Sequence, residues 1–259
     1  MIDYFLITHN VELNDKFPKN YIPNITVLLV GNNCSVSKDS IVCKNLPYNI
    51  EDYPNLCSYT AWYAVAKNKL YNNKTVSLLE YDIDIIQNFH DINLKLLEKT
   101  QSVIAYNYTL FNHYVFYKST PWLEISLKKV HNINLNNFIE RYKTEYLYWP
   151  TTTNITMSND ILCGFINWYT PMVECFKHDS LGAYVHERAF FIFCVINNIK
   201  IIYPKSKILT HHQLQSHKIN DFYGKFLNQK NTQILSDSML EEYNELYDLE
   251  MKRCLLTTQ

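Results

Sequence analysis

Thr75-Val-Ser-Leu-Leu-Glu80-Tyr-Asp82-Ile-Asp84 is the stretch on which the fold turns. Thr75 to Tyr81 predicts a strand, with enough apolar residues in its middle to be central in a sheet. The strand runs out into two carboxylates one residue apart, which places the acids at a sheet edge and not on a helix face. Two further apolar runs of strand length precede it. These are Tyr4 to Thr8 and Ile25 to Val30, the latter closed by Gly31-Asn32-Asn33. Between them and Thr75, Leu56, Tyr59, Trp62, Tyr63 and Ala66 recur at helical spacing. They predict a helix capped by Asn55 or Ser58, running to about Leu70 and broken by Asn72-Asn73.

Beyond the acidic pair the pattern predicts helix at Asp91 to Thr100 and extended chain at Ser102 to Tyr108 and Val115 to Lys118. Helix follows at Leu135 to Tyr142, then a loop from Leu147 to Met157. Asp160 to Phe176 predicts a helix broken at Pro171, His186 to Asn197 an apolar helix, and Lys200 to Leu209 a strand leading into a histidine-rich turn. From Asp221 the pattern is helical, with Glu241, Glu242, Glu245 and Glu250 on a charged face. Strands alternating with helices argue an α/β class. Ligands of such sheets lie at the carboxyl ends of the strands. Thr8-His9-Asn10, Asp82-Ile83-Asp84 and His211-His212 all fall at predicted strand ends.

Composition narrows the function. The chain has 259 residues, 47% of them hydrophobic, which is ample for a sizeable core. A net charge of −1 disfavours a mainly electrostatic nucleic-acid partner. Seven cysteines, at 34, 43, 57, 163, 175, 194 and 254, form no C-x-x-C pair and are odd in number. They read as reduced thiols of an intracellular, cytoplasmic protein. Met1-Ile-Asp-Tyr-Phe-Leu-Ile-Thr has no basic leader and reads as a first strand. No apolar run approaches the ~18–20 residues that span a bilayer, so any membrane contact is expected to be peripheral. Only four glycines occur (31, 164, 182, 224). Neither a Walker A loop nor G-x-G-x-x-G is present, nor a G-x-S-x-G elbow. A phosphate group must then be met by a metal, a lysine or a helix N-terminus. Arginine is scarce (141, 188, 253), which singles out Arg188.

Several constellations carry possible chemistry. Asp82 and Asp84 suit Mg²⁺ or Mn²⁺, hard cations that take carboxylate oxygen, keep several waters and recruit substrate phosphates. The plain alternative is a surface turn with two solvated acids. In Thr210-His-His-Gln-Leu-Gln-Ser-His-Lys218, neutral imidazoles suit Mn²⁺ and Lys218 suits phosphate. The alternative there is an exposed polar turn. Glu187 and His186 lie near the start of an apolar helix, where a carboxylate is held as the anion; a pairing of Glu187 with Arg188 is the structural alternative. Trp149 to Trp168 combines aromatic rings with Asn154, Asn159 and Asp160, as a sugar pocket does and as an ordinary aromatic core also does.

A strand followed by Asp82-x-Asp84, with a late histidine cluster, resembles the GT-A glycosyltransferases. The likeness covers roughly residues 1 to 220. It is similar to small GT-A domains of large DNA viruses and to bacterial capsule and lipopolysaccharide transferases. The resemblance implies a GT-A fold, a Rossmann-like mixed sheet flanked by helices, over residues 1–220. Residues 221–259 would form a C-terminal helical extension packed on the same domain. It implies transfer of a sugar from a nucleoside diphosphate donor, UDP above all, to a glycan or glycoprotein acceptor with Mn²⁺ or Mg²⁺. Asp84 would be the main metal ligand and Asp82 would reach ribose or metal. In retaining members the late histidine sits in H-x-x-G-x-x-K, with histidine on metal and lysine on diphosphate. His212 and Lys218 have that spacing, with Gln215 in the glycine's place, and His211 and His217 stay open as ligands. Thr8 to Asn10 would meet base and ribose. Asn55 and Ser58 would hydrogen-bond the nucleotide, with Trp62 as a stacking ring. Glu187, then His186, would be the general base of an inverting enzyme, and Asp160 an acid of the acceptor pocket. A sugar nucleotidyltransferase, or a glycan-binding protein that kept the fold without catalysis, are the rival expectations.

Overall fold

Burial alternates along the first apolar run. In β1 (Ile2–Thr8), Phe5 and Ile7 enter one core cluster while Tyr4 and Leu6 enter another. That period of two is what a strand covered on both faces requires. The computed structural model describes residues 1–9, 17, 19–31, 40–98, 102–110, 120–142, 144–146, 148–179, 182–205, 207–211, 245, 247–249 and 251–256. After β1 come β2 (Ile25–Leu29), β3 (Ser40–Val42), helix α1 (Tyr59–Asn68), β4 (Thr75–Glu80), β5 (Ile83–Ile85) and helix α2 (Phe89–Leu97). Next are β6 (Ser102–Ala105), β7 (Tyr108–Leu110), α3 (Thr120–Ser126, continuing as a π-helical turn over Leu127–His131) and α4 (Leu135–Tyr142). Then follow β8 (Tyr148–Pro150), β9 (Ile155–Ser158), α5 (Asn159–Val173), α6 (Gly182–Ile196), β10 (Lys200–Ile202) and β11 (Leu209–His211).

Seven strands form one sheet in the order β10-β6-β9-β4-β1-β2-β3. β1 pairs in parallel with both β2 and β4, so the strand order reverses there. β9 alone of the seven runs antiparallel, wedged between β4 and β6. One face carries α1, α5 and α6, with Trp62, Phe165, Phe190 and Phe191 in the larger core; Phe89 of α2 lies in the smaller core on the other. Two short side sheets complete the architecture, β5 with β11 and β7 with β8, both antiparallel.

Several local expectations change. The stretch 147–157 is not a loop: it holds β8 and most of β9. Its threonines and Asn154 carry polar side chains inward, where Thr156 donates to Ser77 at 2.7 Å and bonds to the Tyr106 hydroxyl. These pairings satisfy polar groups in a buried strand that apolar patterning does not mark. The helix over 159–173 is not broken at Pro171: it runs on to Val173, and the proline removes only the one N–H bond to Asn167 O. Lys200 to Leu209 is not one strand. β10 and β11 belong to different sheets, with Pro204 between them. Helix α6 starts at Gly182, four residues before His186. Val115 to Lys118 lies outside the described residues, as does the chain from 212 to 244. Residues 251–256 are helical, and Cys254 is buried in the larger core. Arg253 pairs with Asp179 at 2.7 Å and the Tyr247 hydroxyl donates to Glu124 at 2.6 Å, so this C-terminal stretch packs on the body of the fold.

Candidate functional site

A cavity of about 450 Å³ opens at the carboxyl ends of β1, β2 and β4, where the strand order reverses. Crevices of this kind hold ligands in open α/β sheets, and the volume is in the range of small-molecule pockets. Its wall is built from Ile7, Thr8 and His9 after β1, Val30 and Gly31 after β2, and Glu80, Tyr81 and Asp82 after β4. The segment leading into α1 closes it with Glu51, Pro54, Cys57, Ser58 and Thr60.

The strand ends are held in register by the last rungs of the ladder. Tyr81 donates its backbone N–H to Ile7 at 3.1 Å, and Val30 donates to Thr8 at 3.0 Å. Glu80 is clamped by the two residues that lead into β9. Thr153 donates to one carboxylate oxygen at 2.6 Å and the Asn154 amide to the other at 3.3 Å, while the Glu80 N–H donates to Asn154 Oδ1 at 2.7 Å. Ser58 Oγ donates to Thr153 at 3.0 Å, linking α1 to the same network. Ser58 precedes the helix as expected, yet its hydroxyl makes no cap bond and serves this network instead. Cys57 reaches its place through a left-handed φ of 48°, and desolvation by the surrounding cavity wall, with Glu80 beside it, pushes the thiol pKa up although the residue is exposed at the surface. Such a backbone is costly for a residue with a side chain and is held only by its surroundings.

Asp82 lines the cavity. Asp84 follows on β5, where Ile83 and Ile85 are buried and Asp84 is exposed between them. β5 pairs with β11, so that His211 lies opposite Ile83 and Thr210 opposite Asp84. The late histidine strand and the acidic pair, more than 120 residues apart in sequence, are thus neighbours. His212 and Lys218, and His217 with them, lie outside the described residues, as does Asn10. Among the described residues no group of three or more His, Cys, Asp or Glu side chains is placed to hold a metal.

Other expected site residues sit elsewhere. Asn55 does not line the cavity; its amide donates to His178 O at 3.2 Å. Trp62 is fully buried, edge-on to Phe165, His186 and Phe190, so it is a core ring and not a stacking platform. His186 is 1% exposed within rings of Tyr59, Trp62, Phe165 and Tyr169, which excludes it as a base exchanging protons with an acceptor. Burial lowers its pKa to about 3. Asp160 is at the wrong end of the sheet. β9 is antiparallel, so Ser158 pairs with Thr75 and Asn159 donates to Lys74 O, at the foot of β4. Six residues of β4, roughly 17 Å, separate Asp160 from the ligand edge. Glu187 is half-buried, 3.6 Å from Arg188, whose guanidinium lies over the Trp149 ring and donates to Tyr184 O. It does not line the cavity. The residues missed from sequence are Glu51, Thr153 and the side chain of Glu80, a buried acid and two partners whose meeting depends on the unforeseen β9.

No protein-family model matches the chain, and no curated protein matches it. Among solved structures it is similar to WbbM, a bifunctional glycosyltransferase in its apo form, with a TM-score of 0.55 and 12% identity over 82% of this chain. The match takes in 45% of that protein, so this chain spans less than half of its length. At this identity the likeness speaks for the fold alone, an α/β Rossmann-like mixed sheet of the GT-A type flanked by helices.

Proposed function

We propose that the chain transfers a sugar from a nucleoside diphosphate donor, UDP by preference, to a glycan acceptor, with a divalent cation on Asp82 and Asp84. The observation that carries this is the sign of the cavity wall. Among the described residues it is lined by the acids Glu51, Glu80 and Asp82 and by no lysine or arginine. A divalent cation at such acids would give the wall the positive charge a diphosphate needs. Two aspartates fit Mg²⁺ or Mn²⁺ bound partly by substrate oxygen, since these ions are commonly held by one or two carboxylates together with phosphates. When bound, the cation would neutralise charge on the leaving diphosphate. The pairing of β11 with β5 supports a histidine of the 211–217 segment as a further ligand, and the His212/Lys218 spacing supports retention of configuration.

The chain's own groups do the rest. Thr8 and His9 border the nucleoside end, Ser58 and Thr153 hold Glu80, and Glu80 fixes the chain from which Asp82 projects. Glu187, which does not line the cavity, is proposed as an acid acting on the acceptor or donor sugar. The test is thermal unfolding with UDP, with and without Mn²⁺. UDP plus Mn²⁺ is expected to raise the midpoint above either alone, and Asp84→Asn to abolish that increment while leaving the metal-free midpoint in place. No increment in the wild type would end the donor-site reading; an increment intact in the variant would move the metal elsewhere.

A further inference from the structure

Glu51 is a glutamate buried to 2% exposure in the wall of the cavity. Its Oε2 accepts the Gly31 N–H at 2.5 Å, and among the described residues nothing donates to its Oε1. Burying a carboxyl oxygen without a donor is costly, and protein interiors leave few such groups unexplained. The arrangement is built. Gly31 takes φ +90°, a conformation that side chains rarely adopt, and thereby turns its N–H to the acid. Asn49 Oδ1 accepts the Glu51 N–H at 3.3 Å, and Tyr53 donates to Ile50 O at 3.1 Å to close the turn that carries Glu51.

Position then says what the free oxygen meets. Gly31 follows β2 and Asp82 follows β4, with β1 between them. Two strand spacings, about 10 Å, separate the two ends. That is the scale of a nucleoside from its phosphate to the far edge of its base. With the diphosphate at Asp82, the base falls at Glu51. We infer that Glu51 Oε1 accepts the ring imide N–H of the donor's base, so that Glu51 selects uracil and rejects bases that present a lone pair there. The inference rests on the donor-site reading above. A small turn of the terminal carboxyl torsion, which is soft in glutamate, brings the oxygen to the ligand. A hydrogen bond from an N–H to a carboxylate is among the stronger neutral-to-charged kinds, and cytosine, with an acceptor at the same ring position, loses it and adds repulsion.

The experiment measures binding of UDP, CDP, N3-methyl-UDP and 5-methyl-UDP in the presence of Mn²⁺. In the wild type, CDP and N3-methyl-UDP are expected to bind at least about tenfold more weakly than UDP. 5-Methyl-UDP, which adds equal bulk but keeps the imide, should stay close to UDP. In Glu51→Gln, the amide oxygen keeps the Gly31 N–H and the NH₂ takes the place of Oε1. The CDP-to-UDP preference is then expected to shift toward CDP by at least about tenfold. CDP and N3-methyl-UDP binding within about twofold of UDP would overturn the proposal, as would a variant that weakens every nucleotide alike. Should the variant not fold, the two methylated analogues on the wild type decide the matter alone. Failure of every nucleotide to bind would instead remove the donor site itself, a different outcome from binding without discrimination.

Discussion

His186 shows how a residue type that suggests chemistry can be structural. Its neighbours with titrating groups are the tyrosines Tyr59 and Tyr169, and desolvation alone lowers its pKa from 6.5 to about 3. The sign of the pH effect follows. Between pH 6.5 and about 3 the unfolded chain binds a proton on this ring and the folded chain does not, so stability rises with pH in that window. The contribution is complete above pH 6.5 and is lost as the pH falls toward 3. From pH 7.5 to pH 5 the loss is about 2 kcal/mol. Urea unfolding of wild type and His186→Leu at both values should show the wild type losing about 2 kcal/mol more than the variant. Equal losses would mean that the ring takes up its proton as readily in the folded chain as in the unfolded one. Trp62 teaches the same lesson, since its place at helical spacing with Tyr59 and Ala66 was already the spacing of a core stripe. What the residue types do reveal is Asp82, because an acid at the end of an apolar strand has few places to go but the ligand edge.

At the level of elements, β4 was legible and β9 was not. β4 is buried on both faces, and its apolar run shows it. β9 is a four-residue strand whose inward groups include Thr156, paired to Ser77 and Tyr106 across neighbouring strands. Its partners are 50 or more residues away, and no local pattern encodes them. The error propagated: with β9 read as loop, Asn154 and Asp160 looked like one pocket, when the antiparallel strand puts them at opposite ends of the sheet. β11 was half legible, its histidines noted but its antiparallel pairing with β5 unforeseen. The junction of β9 with β4 has a measurable consequence. Asn154 is fully buried and satisfies both the backbone and the carboxylate of Glu80. Asn154→Ala strands the Glu80 N–H and should cost about 1–3 kcal/mol in urea unfolding. It should also weaken Mn²⁺-dependent UDP binding, since Asp82 leaves the sheet two residues later. A variant that loses stability but keeps full UDP affinity would show that Glu80 does not position Asp82.

Across the whole molecule, the sheet joins two kinds of neighbour. β1, β2, β3 and β4 lie close in sequence and pair in parallel, while β6 and β10 reach β4 only through β9. The α/β class and the ligand edge follow from the first group, and sequence periodicity carries them well. The second group is a matter of chain return over long distances, which periodicity does not record. Among the described residues no helix is long and apolar enough to cross a membrane. The inserted β9 also sets an order on synthesis. While the chain is still emerging from the ribosome, β4 has β1 on one side and nothing on the other until residues 155–158 appear. An apolar strand with an open edge is a template for pairing with other chains, and non-local pairing closes slowly. The nascent protein therefore carries an unpaired apolar edge through the translation of some seventy-five residues between β4 and β9, and a pause in that interval is when a chaperone would matter to its yield.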